Sequence, residues 1–428
     1  MVKKRYALIG LGSRARFFYQ ALASDFRDTC QIVAFSDMNP VRMEYANKIL
    51  ADNFDMPPVP TYPAYDFKKM IHETQPDTVI VTTIDRTHHR YITQAMELGC
   101  DVITEKPMTT DADKCRAILQ AIDKTGRDLR VTFNYRYAPY NSKIRELIKD
   151  GVIGDVNSIH FEWLLDTRHG ADYFRRWHRD KRNSGGLLVH KSTHHFDLVN
   201  FWIGARPDTV FAMGDLMFYG RENAENRGLR EFYYRGTGSE LAQQDPFALD
   251  LRSNPQFEEM YLKAEAHDGY LRDQSVFGDG ISIEDTMGVM VRYSTGTILT
   301  YSLNAYMPWE GYRIAFNGTK GRLQVNVVEA SYISGGSHVE AEGARKTENI
   351  TVFPMFSEPY KVEVEALAGG HGGGDPVLLN DLFGEPDPDP LDRRASHIDG
   401  ALSIGVGIAA NKSIKTGRPI RINDLFKV

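Results

Sequence analysis

Tyr6-Ala7-Leu8-Ile9-Gly10-Leu11-Gly12-Ser13-Arg14-Ala15 is the stretch that decides the fold. A strand-like run ends at Gly10, and a helix-like segment from Ala15 to Phe26 follows the turn, which is the context in which a glycine-rich turn receives a dinucleotide. Gly10 permits the tight turn, Gly12 keeps a side chain away from a pyrophosphate, and Ala15, replacing a third glycine, is small enough for close helix–sheet packing. The helix N-terminus adds unpaired N–H groups and the positive end of its dipole. Gly10, Gly12, Ser13 and Arg14 are therefore candidate cofactor-binding residues.

Outward from this turn, the apolar run Gln31 to Ser36 ends at Asp37. A carboxylate there accepts hydrogen bonds from the adenosine ribose and repels a 2′-phosphate, so NAD is expected ahead of NADP. Arg42, five positions on, keeps NADP open, and Asp37 has a second reading as the N-cap of a helix starting near Pro40. Further strand-like runs lie near Thr61 and at Thr78 to Thr83, Asp101 to Thr104 and Leu129 to Phe133, with helix-like stretches Tyr91 to Leu98 and Ala112 to Lys124 between them. The alternation predicts an α/β architecture whose N-terminal part is a doubly wound parallel Rossmann sheet, with its ligand crevice at the strands' carboxyl ends. Four groups emerge there: the glycine turn, Asp37, the stretch Thr82 to His89, and Glu105-Lys106-Pro107. Within the third, Thr82, Thr83, Asp85 and His89 stand at the crevice, Thr83 and His89 as candidate cofactor contacts, with helix capping and packing as the competing roles.

From Val156 the texture changes. A strand is expected over Val156 to Leu164, a helix over Gly186 to Trp202, and alternating strands over Ile281 to Tyr293, Thr297 to Tyr306, Tyr312 to Asn317 and Gly321 to Val328. This predicts a C-terminal α+β domain with a large, mostly antiparallel, open-faced sheet. The expected division is 1–138 for cofactor binding and 139–428 for substrate binding and oligomerisation, with 221–279 as an insertion. The polar stretch 336–349 reads as loop, 386–390 as a stiff connector, and a last helix is expected from Leu391 to about Ser413. Helices on one face of the sheet would leave an apolar face uncovered, so a homodimer or homotetramer joined through residues 281–328 is expected.

The 428 residues exceed one ordinary core. Apolar content of 42%, charged content of 25% and a net charge of −6 describe a globular protein with no nucleic-acid partner. Cys30, Cys100 and Cys115 are too few and too unpatterned for a disulfide framework or zinc site. No apolar run approaches the roughly 20 residues of a membrane span, and the first strand starts too early for a signal peptide. The expectation is a cytoplasmic protein with no membrane partner.

The glycine turn, Glu105-Lys106-Pro107, Asn134-Tyr135-Arg136-Tyr137, His194-His195-Phe196-Asp197 and Asn317-Gly318-Thr319-Lys320-Gly321 occur in an order that resembles the glucose-fructose oxidoreductase / inositol dehydrogenase / rhizopine-catabolism (Gfo/Idh/MocA) family. The resemblance covers nearly the whole chain. It implies redox chemistry on a small-molecule sugar, polyol or glycoside, and it places Lys106, with Glu105 beside it, at the nicotinamide and His194 as general acid or base. Imidazole titrates near neutral pH and suits that role, while an ammonium steadies a developing alkoxide.

Here His190 stands where the family commonly has an aspartate, and on one helix residues 190, 194 and 197 would share a face. His190 and Lys191 are therefore substrate candidates. The spacing of His190 and His194 also fits two metal ligands, but Lys191 opposes a cation, so no metal is assigned. His195 is the histidine given a structural role. Arg136 and Tyr137 either bind substrate hydroxyls or link the domains. Asp285 and Trp309 belong to the site or to the sheet. His371-Gly372-Gly373-Gly374-Asp375 permits close backbone approach to a ligand and resembles a segment of the family's NAD-dependent glycosidases, which makes His371 a further substrate candidate; the other reading is a loop before a helix at Pro376. Transient oxidation with elimination of an aglycone, and redox-silent sugar sensing, are the alternative functions.

Overall fold

The computed structural model describes residues 2–330, 347–364, 370–385 and 388–428, with the backbone alone at Ala330, Thr347, Glu348, Gly370 and His371. Residues 336–346 of the polar stretch and 386–387 of the connector lie outside the described residues.

Six strands, β1 Lys4–Ile9, β2 Cys30–Asp37, β3 Thr61–Pro63, β4 Thr78–Val81, β5 Asp101–Thr104 and β6 Leu129–Val131, pair in parallel in the order β3-β2-β1-β4-β5-β6. Alternate residues of β1 feed opposite faces: Tyr6 and Leu8 pack with Phe18, Leu22 and Leu50, while Ala7 and Ile9 pack in the cluster holding Ile92, Ala95 and Ile118. The strand order reverses between β1 and β4, so the crevice opens where Gly10 and Thr82 leave the sheet.

Nine strands form the second sheet: β7 Val156–Asp166, β8 Pro207–Asp215, β9 Thr286–Tyr293, β10 Ile298–Met307, β11 Glu310–Gly318, β12 Gly321–Ala330, β13 Thr347–Pro354, β14 Tyr360–Val362 and β15 Ile420–Arg421. Their order is β14-β13-β12-β11-β7-β10-β9-β8-β15, antiparallel throughout except for the β7–β10 pair. Phe161, Trp163, Tyr301 and Phe316 form its inner face, against the helix Ser192–Ile203. The outer face departs from the expected apolar surface. His160, Glu162, Thr300, Ser302, Arg313, Gln324 and Asn326 line a trough across it, with Met213, Met290, Ile298 and Phe353 exposed around them. Alternation along the central strands β7, β10, β11 and β12 puts mainly polar residues outward, as in a sheet with one solvated face.

Three further features position the site. The helix expected over Gly186 to Trp202 is two helices, Leu187–His190 and Ser192–Ile203, meeting at Lys191. The first is pressed on the helix His397–Thr416, where a Cβ at Gly407 would stand 2.2 Å from the Leu188 carbonyl oxygen. His190 thus lies in the first helix and His194 and Asp197 in the second. The helix Gly370–Phe383 returns to the first sheet, its Phe383 ring lying 5.2 Å from Tyr6 and 5.7 Å from Phe26. Its glycines serve this packing, because a Cβ at Gly374 would stand 2.5 Å from the Asn134 carbonyl oxygen and one at Gly372 2.7 Å from the Tyr140 ring. The insertion 221–279 is a chain of short helices. Its Leu251, Phe257, Met260 and Tyr261 form a small core with Tyr45 from the helix Pro40–Phe54.

Candidate active site at the carboxyl ends of the parallel strands

Gly10, at φ +88°, is the residue nearest the switch point, and a Cβ there would stand 2.6 Å from the Thr83 amide nitrogen. Thr82 Oγ1 donates to the Gly10 carbonyl at 2.5 Å, so the two loops are tied together. Ser13 leads into the helix Ala15–Ala23 with its N–H directed at an oxygen, the Tyr261 hydroxyl, at 3.2 Å. The turn thus has the backbone freedom and the donors a pyrophosphate needs.

Asp37 ends β2 in the crevice. Its Oδ2 accepts from the Leu11 N–H at 2.5 Å, and its Oδ1 accepts from the Asn39 N–H at 2.8 Å and from Arg42 at 3.4 Å. Burial pushes its carboxyl up, against the pull of Arg42 and the two N–H groups. The N-cap of Pro40–Phe54 is Asn39, not Asp37: its side chain takes the Val41 N–H at 3.1 Å. Arg42 is held between Asp37 and Asp268, the latter at 2.6 Å.

Glu105 follows β5. It accepts from Arg14 Nε at 2.6 Å and from the Lys106 N–H at 3.1 Å, joining the glycine turn to the lysine. The Lys106–Pro107 peptide is cis. His88 faces the Pro107 and Thr83 carbonyl oxygens with one ring nitrogen each, both at 2.9 Å, and so spans the β4 and β5 loops. Its neighbour His89, the residue singled out by sequence, lies half-buried where burial and Lys114 lower its pKa and Asp111 raises it, at the start of the next helix. Thr83 accepts from the Thr87 hydroxyl at 2.8 Å.

The chemistry concentrates around Asp85, which is buried with one oxygen 2.6 Å from His190 Nδ1. Burial pushes Asp85 well up, and the Lys106 ammonium and Arg176 pull it back. His190 keeps 11% of its side chain exposed. Its ring meets His178 at 4.2 Å, Tyr173 at 5.6 Å and Trp177 at 5.8 Å. His178 is held well below the ordinary imidazole range by burial first, then by Arg176, Lys106 and Arg272. Lys106, Asp85, His190 and His178 are thus neighbours at one end of the crevice.

The other sequence-derived residues lie elsewhere. His194 is buried with its ring edge on Tyr135 at 4.9 Å and Phe133 at 5.9 Å. Lys191 is buried, its ammonium 6.0 Å from the Tyr135 ring and 5.7 Å from Trp163. His195 stacks on Trp163 at 3.8 Å and meets the Tyr301 hydroxyl at 2.6 Å. Arg136 clasps Asp197 through two bonds of 2.8 and 2.6 Å and Asp399 through a third of 2.9 Å, and Tyr137 donates to Asp381 at 2.9 Å. Arg136 thereby ties its loop to the helices Ser192–Ile203 and His397–Thr416, and Tyr137 to the helix Gly370–Phe383. Asp285 belongs to the sheet, where it accepts the N–H groups of Met217, Phe218 and Tyr219. The side chain of His371 lies outside the described residues. Among the described residues no cluster of His, Cys, Asp and Glu is placed to hold a metal, and no helix is long and apolar enough to cross a membrane.

A switch-point crevice with a dinucleotide turn on one wall and a lysine beside an imidazole–carboxylate pair on the other defines a two-domain oxidoreductase of the NAD-binding Rossmann class. Residues 4–133 match the model described as oxidoreductase family, NAD-binding Rossmann fold, and residues 145–422 match the oxidoreductase family C-terminal alpha/beta domain. The chain belongs to the Gfo/Idh/MocA oxidoreductase family. It is 38% identical over 99% of both chains to the putative oxidoreductase YteT of Bacillus subtilis (strain 168). It is 32% identical to the inositol 2-dehydrogenase of Rhizobium meliloti (strain 1021) across 32% of this chain and 39% of that one. The fold is similar to that of the WlbA dehydrogenase from Bordetella pertussis in complex with NADH and UDP-GlcNAcA, with a TM-score of 0.65 and 16% identity over 98% of this chain and 99% of the other.

Asp85 was a minor candidate in the sequence, and Arg176, His178, Tyr261 and Arg272 were not candidates at all. The only local signal was the density of cationic and aromatic residues in Arg175-Arg176-Trp177-His178-Arg179.

Proposed function

We propose that the protein transfers hydride between NAD and a hydroxyl-bearing carbon of a sugar, polyol or glycoside. The observation that carries the reading is the Asp85–His190 pair beside Lys106 at the switch point. Bound NAD supplies the hydride acceptor. Gly10, Gly12 and Ser13 hold its phosphates, Arg14 and Glu105 fix the turn against the lysine, and Lys106 positions the substrate hydroxyl and steadies the alkoxide. The family resemblance gives the proton to His194. The geometry favours His190, whose Nδ1 stands 2.6 Å from an Asp85 oxygen, the arrangement in which a carboxylate orients an imidazole base.

NAD rather than NADP is supported by Asp37 and by Arg42, whose guanidinium is committed to Asp37 and Asp268. NAD is expected to bind at least about tenfold tighter than NADP, roughly 1.4 kcal/mol, in a fluorescence titration of both; equal affinities defeat this assignment of Asp37. The function itself is tested by NADH absorbance across sugars, polyols and glycosides. Net NADH with an unsubstituted sugar supports it. Cleavage of an aryl glycoside without net NADH would replace it with transient oxidation and elimination.

A further inference from the structure

The insertion 221–279 reaches over the dinucleotide turn and is latched to the first domain at several points. Asn39 Nδ2 donates to the Ala264 carbonyl at 2.9 Å, Arg42 pairs with Asp268 at 2.6 Å, and Arg16 bonds the Gln256 side-chain oxygen. Between these latches the Tyr261 hydroxyl lies 2.7 Å from Ser13 Oγ and accepts the Ser13 N–H at 3.2 Å. A phenol oxygen thus occupies the place at the start of the helix Ala15–Ala23 that suits a phosphate oxygen.

Behind Tyr261 lies a cluster of guanidiniums. Arg175, Arg176 and Arg272 all lie against Asp172, at 3.5, 2.8 and 3.5 Å. Arg272 is 4% exposed, its guanidinium lies 5.1 Å over the Tyr261 ring, and its Nε has no hydrogen-bond partner among the described residues. The Nε of Arg176 is likewise buried without one. Burial works to raise the Tyr261 phenol, yet Arg272, Arg176 and the Ser13 hydrogen bonds outweigh it and lower its pKa. Three guanidiniums share Asp172, and a group bearing two negative charges at this point would be attracted to them.

We propose that Arg272 of the insertion and Arg176 are ligands of the dinucleotide's pyrophosphate, and that Tyr261 is a placeholder on Ser13 which the pyrophosphate displaces. This rests on the cofactor reading above. The insertion is then a wall of the cofactor site, and cofactor entry requires Tyr261 to leave the glycine turn.

The test compares NAD, ADP and adenosine on the full chain by equilibrium fluorescence titration, with stopped-flow association rates for NAD. Arg272→Gln should weaken NAD and ADP at least about tenfold while leaving adenosine, which lacks phosphate, unchanged. Tyr261→Phe keeps the ring but removes the competing hydroxyl, so NAD should associate several-fold faster and bind more tightly. Wild-type binding of NAD by Arg272→Gln, an equal loss for adenosine, or an unchanged association rate for Tyr261→Phe overturns the proposal. If Arg272→Gln does not fold, the Tyr261→Phe rate decides alone. Failure of the wild type to bind either NAD or NADP is a different result, because it removes the cofactor reading together with this one.

Discussion

At His190 a single residue changes the balance of the site. The imidazole there stands 2.6 Å from an oxygen of Asp85, which reaches it from the loop after β4. His190→Ala and Lys106→Ala should each lower turnover on the order of a hundredfold, with NAD affinity nearly unchanged for the first and substrate KM raised by the second. Steady-state kinetics with parallel NAD titrations checks the ordering, and a larger loss for His194→Ala returns the proton to His194. His178 offers a separate test through stability. Its pKa is depressed in the folded state, so the unfolded chain binds the proton more readily just below the ordinary value of about 6.5. Stability tied to the neutral ring is present above that value and is lost as pH falls. Melting temperature should therefore drop between about pH 7.5 and about pH 5.5, and His178→Phe should show a smaller drop over the same window; identical slopes would show that His178 contributes nothing to it.

Among the elements, the helices Ser192–Ile203 and His397–Thr416 depend on Arg136, which joins Asp197 to Asp399 in the interior. Burial works against its charge, but the two carboxylates outweigh that and raise the guanidinium's pKa. Arg136→Ala leaves Asp197 buried without its partner and should destabilise the fold by about 3–5 kcal/mol in urea denaturation; a loss below about 1 kcal/mol would show that water replaces the pair. The parallel strands were legible because β1, β2, β4 and β5 are short apolar runs bounded by glycine or an acid, and Lys106 because it follows one of them. The junction at Lys191 was not legible, since Leu187 to Trp202 has a continuous helical pattern, and neither was the close approach of Gly407 to the Leu188 carbonyl. The aim of Arg136 was equally hidden, because both of its partners are distant in sequence. Residues 221–279 carry no period, so Tyr261 and Arg272 became visible only where tertiary contacts placed them on the glycine turn.

For the whole molecule, the expected meeting surface between copies is the outer face of the nine-stranded sheet. Its His160, Glu162, Arg313, Gln324 and Asn326 make it a polar surface with isolated apolar residues. Association through it should give a dimer or tetramer in light scattering whose dissociation increases with salt, because exposed ion pairs and charge complementarity are screened. A monomer at micromolar concentration in low salt would refute that mode of assembly. The return of the helix Gly370–Phe383 to Tyr6 and Phe26 bears on synthesis. A ribosome finishes β6 some 250 residues before it reaches Phe383, so throughout that interval the nascent parallel sheet keeps the aromatic surface around Tyr6 uncovered. A layer made early in synthesis is thus sealed by a helix made about 250 residues later, and its apolar surface is exposed to aggregation in between.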